Sequence, residues 1–286
     1  MNTRIITEEY LKKFEKYLLE EEKSRITVEK YLRDVRAFFV FSEGKAVNKD
    51  MVLGYKRFLT GKAYAVRSIN SMLASLNSFL KFMDWKECMV KSLKMQQMIY
   101  CPEDKELTKA EYFRLLNAAK GQEQLELILQ TICGTGIRIS ELSYFTVEAI
   151  QHGEIHICCK NKNRRILIPG KLKKMLLRFA KKNHIMEGVL FRSRSGRPVN
   201  RSNVWAKMKK LCEQAKVNPS KVFPHNLRKL FAKTFYSVEK DIAKLADILG
   251  HSSINTTRIY IMTSGMEHRR KIERLGLVVG YKKITT

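Results

Sequence analysis

The chain has 286 residues, of which 44% are hydrophobic and 29% are charged. This composition is typical of a globular protein with one or two domains, and it excludes a collagen, a disordered tail protein and a coiled-coil rod. The 55 lysines and arginines outnumber the 28 acidic residues and give a net charge of +27. Such an excess indicates a polyanionic partner, with nucleic acid favoured over an anionic membrane surface.

Two further features of the sequence predict a cytoplasmic protein. No run of about 18 apolar residues occurs, and the N-terminus lacks an apolar segment that ends in a small-residue cleavage site. None of the six cysteines forms a CxxC pair, and the adjacent Cys158 and Cys159 suit neither an ordinary disulfide nor a zinc site. We therefore expect buried, reduced thiols and no metal or other cofactor.

Residues 1–93 have the pattern of four amphipathic helices and no strand, which predicts a small helical bundle. Thr7 is the expected N-cap of the first helix, and Thr27 is expected to open the second. Asn48 is expected to cap a short third helix that ends near Leu59. The fourth helix is predicted over residues 68–83.

Residues 94–106 lose this periodicity and contain Pro102, which predicts a linker between two domains. Thr108 and Glu111 form a capping box at the start of the second domain, residues 107–286. Helices are expected over 109–119, 122–133, 172–182 and 203–215. Strands are expected over 154–159 and 165–168, on either side of a turn at 160–163, and over 189–191. The fold class is therefore mainly α with a small β-sheet, with a helical bundle followed by a mixed α+β domain.

Positive charge is concentrated in the second domain. Residues 160–221 hold 19 lysines and arginines but only two acidic residues, Glu187 and Glu213. Contacts between such a surface and phosphates would dominate binding to nucleic acid and make it steeply dependent on salt.

The segment GTGIRISEL, residues 134–142, places Arg138 at the expected start of a helix that follows a glycine turn. A guanidinium group at a helix N-terminus is well suited to hold a phosphate, because both favour anions. The alternative is a surface arginine that pairs with Glu141, and the segment alone does not decide between the two.

Three further candidates lie near the C-terminus. Pro224 suits a helix start, and His225 and Arg228 share one face of that helix because they are three residues apart. His251 follows Gly250, a predicted helix C-cap, and Tyr260 lies on the next helix, capped by Ser253. Each of these signals is weak by itself, because a helix end and a core tyrosine are common features.

Their order and spacing closely resemble the tyrosine recombinase family, also called the phage integrase or Xer-type family. The strings that carry the resemblance are TGIRISEL, HNLRKLFA and LGHSSINTTRIY, together with TVEKYLRDVRAFFVF and INSMLASLNSFLKFM in the first domain. The resemblance covers about residues 5–275. One departure is Lys229-Leu230, where the family often has His-Thr after the second arginine.

The resemblance implies a helical core-binding domain, a catalytic domain and DNA strand exchange through a 3′-phosphotyrosyl intermediate, without metal or ATP. The implied catalytic residues are a tyrosine nucleophile, cationic and histidine groups around the phosphate, and a lysine in the hairpin turn: Tyr260, Arg138, Arg228, His225, His251 and Lys160. Lys162 lies in the same turn, on the other side of Asn161, and is the alternative to Lys160.

The implied partners are double-stranded DNA and three further copies of the chain, in a homo-tetramer on synapsed sites. Accessory DNA-bending proteins and a nucleoid location also belong to this expectation, and a membrane does not. The amphipathic segment 266–277 is expected to form a C-terminal helix that docks into a neighbouring subunit or folds on its own domain. Candidate base-reading helices lie around residues 202–210 and 68–77.

Two other functions share part of this sequence evidence. A type IB topoisomerase-like nicking and closing enzyme would use the same chemistry without bringing two DNA sites together. A DNA-binding factor with an inactive catalytic domain would keep the basic surface alone. A membrane-surface protein is disfavoured, because every basic helix with an apolar face also fits a domain core.

Overall fold

The computed structural model describes residues 4–94, 103–159, 162–262 and 265–277. The chain divides into two compact units, Met1–Gln97 and Met98–Thr286. The fold is mainly α-helical with a small two-stranded sheet, as the sequence predicts. Within the described ranges, no helix is both long and apolar enough to cross a membrane.

The described part of the first unit contains four α-helices and a short 3-10 helix at Lys86–Cys88. The helices are α1 (Glu8–Glu20), α2 (Arg25–Ser42), α3 (Lys49–Gly61) and α4 (Val66–Phe82). Their apolar faces enclose a core in which Phe14, Phe38 and Phe79 are fully buried. The amphipathic spacing read from the sequence therefore gives the predicted bundle.

Two N-caps of this bundle are confirmed and one is wrong. The side chains of Thr7 and Asn48 accept hydrogen bonds from backbone N–H groups in the first turns of α1 and α3. The second helix begins at Arg25, after Ser24, rather than at Thr27. Thr27 instead lies in the first turn, where its hydroxyl is 2.8 Å from that of Ser24.

Helix α4 begins at Val66, two residues earlier than predicted, and ends at Phe82. Its Asn70 and Asn77 hold the segment that follows it, because each side-chain amide both donates to and accepts from one backbone residue. Asn70 pairs in this way with Leu93, and Asn77 pairs with Val90. These two amides of a candidate base-reading helix are therefore used inside the unit.

The second unit contains the remaining described elements. Its α-helices are α5 (Lys109–Ala118), α6 (Glu123–Thr135), α7 (Val147–His152), α8 (Gly170–Lys182), α9 (Arg201–Ala215), α10 (Pro224–Val238), α11 (Ile242–Leu249), α12 (Ile254–Ile261) and α13 (Gly265–Glu273). Short 3-10 helices lie at Glu103–Lys105, Ile139–Tyr144 and Pro219–Lys221. The Thr108–Glu111 capping box is present, with both reciprocal hydrogen bonds.

The sheet consists of β1 (Glu154–Cys159) and β2 (Lys162–Leu167), which pair antiparallel. Cys159 lies opposite Lys162, so the second strand begins three residues earlier than predicted and the predicted four-residue turn is wrong. The backbone pairing of the two strands therefore includes Lys162 and Asn163, which the sequence predicted to lie in the turn. Residues 160 and 161, including the candidate Lys160, lie outside the described part of the chain.

The strand predicted at 189–191 is also wrong. Only Val189 forms a bridge, with Thr146, and the flanking backbone hydrogen bonds join Leu190 to Phe145 and Gly188 to Val147. The facing segment turns into α7 immediately afterwards, so the pairing has no room to continue. The apolar side chains of Leu190 and Phe191 enter the core of the unit instead.

Candidate active site

The turn between α6 and the next 3-10 helix presents Arg138. Gly136 ends α6 in the left-handed conformation at φ 64°, and a side chain there would meet the Phe231 ring. A helix begins directly after Arg138, as the sequence predicts. It is a 3-10 helix over Ile139–Tyr144, and the Glu141 carboxylate accepts from the Arg138 backbone N–H.

The side chain of Arg138 pairs with Glu141, which is one of the two alternatives that the sequence left open. Its guanidinium donates to Glu141 Oε1 at 2.9 Å and to the backbone oxygen of Gly250 at 3.2 Å. The side chain is still 44% exposed. The pair with Glu141 therefore holds one edge of the guanidinium beside the loop that carries His251, and the group remains accessible from solvent.

Arg228 lies on α10 and is 1% exposed. Its guanidinium donates to the backbone oxygen of Gly136 at 2.6 Å and to that of Leu249 at 2.5 Å. Among the described residues, its buried Nε has no hydrogen-bond partner. Arg228 thus joins the turn before Arg138 to the C-terminus of α11, directly before the loop of His251.

The geometry around His251 fixes its tautomer. Nη2 of Arg228 lies 3.0 Å from His251 Nε2, and an arginine can only donate. Nε2 is therefore the acceptor, and the ring proton is on Nδ1, which lies 2.8 Å from the Thr257 hydroxyl. The loop itself begins where Gly250 ends α11 in the left-handed conformation, as predicted.

Tyr260 lies between the two histidines. Its ring is 5.1 Å from that of His225 in an edge-to-face arrangement and 4.9 Å from that of His251, between ring centroids. Tyr260 is 6% exposed and lies on α12, which Ser253 caps as predicted. His225 is the second residue of α10, after Pro224 at the predicted helix start.

The structure thus brings together five of the six predicted residues, Arg138, His225, Arg228, His251 and Tyr260. The sixth, Lys160, lies outside the described residues. Its alternative, Lys162, begins β2, and its side chain is likewise not described.

The charges of this cluster shift the pKa values of its members. Burial, followed by Arg228 and Arg138, lowers the pKa of His251 to about 4. Partial desolvation also lowers the pKa of His225, whose side chain is nevertheless exposed, with smaller contributions from the same two arginines and Lys229. Burial and the neighbouring cations Arg138 and Arg164 lower the pKa of Arg228 to about 10. Both imidazoles are therefore neutral at pH 7, beside two guanidinium groups that attract an anion.

The low pKa of His251 predicts that acid destabilises the protein. An unfolded imidazole titrates near 6.5, so between pH 6.5 and about 4 the unfolded state binds more protons. The free energy of unfolding therefore falls as the pH drops through this window. We expect His251→Gln to reduce this loss and His152→Gln, at an exposed position, to leave it unchanged, as measured by urea denaturation across the window. Equal pH dependence in all three proteins would contradict the assignment.

Two features of the cluster were not predicted from the sequence: the burial of Arg164, and the second ion pair that Glu141 makes with it. The carboxylate of Glu141 is buried and binds both Arg138 and Arg164, whose Nη1 donates to it at 2.8 Å. Arg164 also donates from Nε to the backbone oxygen of Ile248 at 2.7 Å, and its Cδ lies where a Cβ on Gly250 would fall. Arg164 therefore ties β2 to the end of α11 and, through Glu141, to Arg138.

The alternation of residue types along β2 could have predicted that Arg164 is buried. Arg164, Ile166 and Ile168 are all buried, whereas the intervening Arg165 and Leu167 are exposed. Successive side chains of a strand point to opposite faces, so Arg164 shares the face of the two isoleucines. The basic run concealed this pattern, because charged residues are normally exposed.

Arg164 and Arg165 offer a matched pair of substitutions. We expect Arg164→Met to lower the free energy of unfolding by about 3 kcal/mol, because the change leaves buried acceptors without their donor. We expect Arg165→Met to cost less than about 1 kcal/mol, because Arg165 is 62% exposed and pairs with Glu154 at the surface. Urea denaturation measures both values, and equal losses would show that Arg164 is not the tie described above.

The fold and this cluster define a class of protein, one with a helical N-terminal unit and a buried tyrosine that contacts two histidines, with two arginines beside the loop of the second histidine. The phage integrase family model matches residues 105–265, and the phage integrase N-terminal SAM-like domain matches residues 11–87. The chain belongs to the phage integrase family.

Named relatives and solved structures agree with this assignment. Tyrosine recombinase XerA of Pyrococcus furiosus is 27% identical, over 97% of this chain and 98% of the relative. Tyrosine recombinase XerD of Pseudomonas aeruginosa is 25% identical, over 82% and 85% respectively. The crystal structure of a XerA recombinase matches with a TM-score of 0.54 at 26% identity, over 96% of this chain and 100% of that one. A lambda integrase dimer bound to a COC′ core site has the same fold, with a TM-score of 0.72 at 16% identity, over 98% and 99%.

Proposed function

We propose that this chain is a site-specific DNA recombinase that cuts and rejoins DNA strands through a 3′-phosphotyrosyl intermediate. The observation that carries the proposal is the position of Tyr260 between His225 and His251, beside Arg228. In such a cluster the phenol can attack a phosphodiester, and the imidazoles can accept a proton or hold the phosphate. The two guanidinium groups can neutralise its negative charge.

In the cleavage step, the Tyr260 oxygen attacks the phosphorus atom of the DNA backbone. A bond forms between phosphorus and the tyrosine oxygen, and the bond from phosphorus to the 5′ oxygen breaks. His225 is neutral at pH 7 and takes the phenolic proton as a general base. Arg138 and Arg228 bind the two non-bridging oxygens, where negative charge accumulates in the transition state.

His251 contributes a hydrogen bond to the same phosphate. In this structure its Nε2 accepts from Arg228, so donation to phosphate requires a proton on Nε2. A phosphate within hydrogen-bonding distance favours the charged imidazolium and raises its pKa. The bound phosphate therefore favours the protonated Nε2 of His251, which donates a hydrogen bond to it.

The leaving 5′ oxygen takes its proton from the hairpin lysine, for which we favour Lys160 over Lys162. The bond energy of the backbone is kept in the phosphotyrosyl linkage, so the reverse attack by a 5′ hydroxyl needs no ATP. The cationic side chains supply the charge that a divalent metal supplies in other phosphoryl-transfer sites. We therefore expect cleavage to proceed in the presence of EDTA.

The basic surface of the second unit is the proposed contact with the DNA backbone. Helix α9, one of the two candidate base-reading helices, exposes Arg201, Trp205, Lys207 and Lys210. The solved XerH recombinase bound to its difH substrate and the lambda integrase bound to its core site support a double-stranded DNA partner. We expect the protein to work at the nucleoid, in the cytoplasm.

Strand exchange needs two duplexes, so we propose a homo-tetramer on synapsed sites, assisted where necessary by DNA-bending proteins. Helix α13 covers Gly265–Glu273, a shorter span than the predicted 266–277. In and after it, Ile272, Leu275 and Leu277 are exposed by 61%, 62% and 82%. An apolar groove of about 510 Å³, lined by Phe113, Phe231 and Phe235 among others, is the proposed acceptor on a neighbouring copy.

A suicide substrate tests the proposed function. A nick beside the cleavage position lets the 5′ fragment diffuse away and traps the covalent protein–DNA complex. We expect a trapped complex in EDTA on DNA from the native genomic flanks, and recombination between two such sites. Supercoil relaxation without two-site recombination would instead indicate a nicking and closing enzyme, and binding without any trapped complex would indicate an inactive DNA-binding factor.

A further inference from the structure

A carboxylate outside the cluster contacts the helix that carries two of its members. Glu106 lies just before α5, and its two oxygens pair with two lysines of α10. Oε1 is 2.7 Å from Lys229 Nζ, and Oε2 pairs with Lys233. The three side chains are only 17%, 14% and 27% exposed, so this arrangement lies partly out of water.

Neighbouring contacts hold the same stretch of chain against the start of α10. Asn226 donates from Nδ2 to the backbone oxygens of Lys105 and Lys221, both at 2.8 Å. Lys221 in turn pairs with Glu111 at 3.0 Å, and these two side chains are 16% and 14% exposed. The segment from Lys105 to Glu111 is thus fixed to α10 and to the turn before it by side chains that are mostly buried.

The two lysines continue the helix face of the catalytic histidine. Lys229 is one turn after His225 and directly follows Arg228, and Lys233 is one turn further on. The other groups that face His225 are Arg138 and Arg228, with the rings of His251 and Tyr260. Positive charge therefore dominates around this imidazole, and Glu141 is already engaged by Arg138 and Arg164.

We propose that Glu106 is a positioning residue of the active site, which pairs with Lys229 and Lys233, offsets part of their charge and holds α10 so that His225 can take the proton of Tyr260. The inference rests on the proposed function for the role of His225. Lys229 is the residue at which the sequence departs from the family's usual His-Thr, and its carboxylate partner is supplied by the segment before α5.

The physical reason is the balance of charge in a partly buried site. Glu106 offsets two ammonium groups on the helix of His225, at low exposure, where a charge is poorly screened. Without the carboxylate, both ammonium groups act on His225 and on each other, and the proton affinity of the imidazole falls. A weaker base accepts the phenolic proton less effectively, so cleavage slows even when DNA is bound.

Two substitutions with opposite expected effects test this role in the full chain. We expect Glu106→Gln to lower the midpoint pH of the His225 imidazole titration by about 0.5, and Lys229→Gln to raise it, as measured by NMR. A His225→Gln spectrum assigns the signal. Asp104→Asn removes a carboxylate from an exposed position two residues away, and it is expected to leave the titration unchanged.

Single-turnover cleavage of saturating suicide substrate provides the second measurement. We expect Glu106→Gln to slow formation of the covalent complex about threefold or more at pH 7 with unchanged DNA affinity, and Asp104→Asn to leave the rate unchanged. A Glu106→Gln protein that matches Asp104→Asn in both titration and rate would overturn the proposal. If the unaltered chain forms no covalent complex, the proposed function fails, whereas the two titrations still decide whether Glu106 controls His225. If Glu106→Gln does not fold, the Lys229→Gln titration decides the proposal, and an unchanged midpoint pH of His225 in that protein would overturn it.

Discussion

Replacing Tyr260 with phenylalanine is expected to abolish the covalent protein–DNA complex and leave DNA binding intact. The change removes one oxygen atom, the proposed nucleophile, and keeps the ring that packs against His225 and His251. Loss of a nucleophile that acts as part of a unit lowers the rate by roughly 10³-fold or more. The suicide-substrate assay measures the covalent complex, and a gel-shift titration measures the binding.

Tyr236→Phe is the matched control for this experiment. Tyr236 packs against the same small core as Tyr260, but from α10 and outside the catalytic cluster. The same atom is deleted in both variants, so a difference between them reports on chemistry rather than on tyrosine content. Covalent complex at the unaltered level with Tyr260→Phe would reject Tyr260 as the nucleophile.

Arg228→Lys is the second substitution with a large expected effect. It keeps the positive charge but loses the planar fork, whose atoms donate to Gly136, Leu249 and His251. We expect the cleavage rate to fall by about 10²–10³-fold, because an ammonium group cannot hold the loops and a phosphate oxygen together. We also expect a loss of about 1–3 kcal/mol in the free energy of unfolding, because buried carbonyl oxygens lose their donors.

The control for this substitution is Arg25→Lys at the start of α2, where the arginine is 92% exposed and lies outside the proposed DNA-contacting surface of the second unit. Denaturation by urea gives the stability of each protein, and single-turnover cleavage at saturating DNA gives the rate constant. An Arg228→Lys protein that cleaves within about twofold of the unaltered chain would show that the fork of Arg228 is not needed.

Local chemistry explains which parts of the fold the sequence predicts. The caps at Thr7 and Asn48, the Thr108–Glu111 box and the left-handed Gly250 are as expected, because each depends on residues within one turn. Thr27 is not the cap because the helix already begins after Ser24, three residues earlier, although the Ser24 side chain makes no capping hydrogen bond. Competition between two neighbouring cap residues cannot be settled by their types alone.

Contacts between residues far apart in the chain account for what was missed. The strand expected at 189–191 depended on an extended partner, and the facing segment instead enters α7. Arg164 reads as part of a solvated basic run, yet Glu141, 23 residues before it, makes its burial possible. Glu106 and Lys233 are 127 residues apart, and no local pattern predicts that they meet.

The candidate site itself was easier to predict than its supporting contacts. Arg138, His225, Arg228, His251 and Tyr260 have an order and spacing that resemble a known family, and the structure brings them together. How the site is held was not predictable. Arg228 binds backbone oxygens at two loop ends, and such acceptors have no sequence signature.

Mapping the DNA-linked residue tests the central claim most directly. The trapped complex is digested with protease and nuclease, and mass spectrometry locates the remaining nucleotide among the eleven tyrosines of the chain. We predict a 3′-linked nucleotide on Tyr260 and on no other residue. A nucleotide on a different side chain would contradict the account, as would a 5′ linkage.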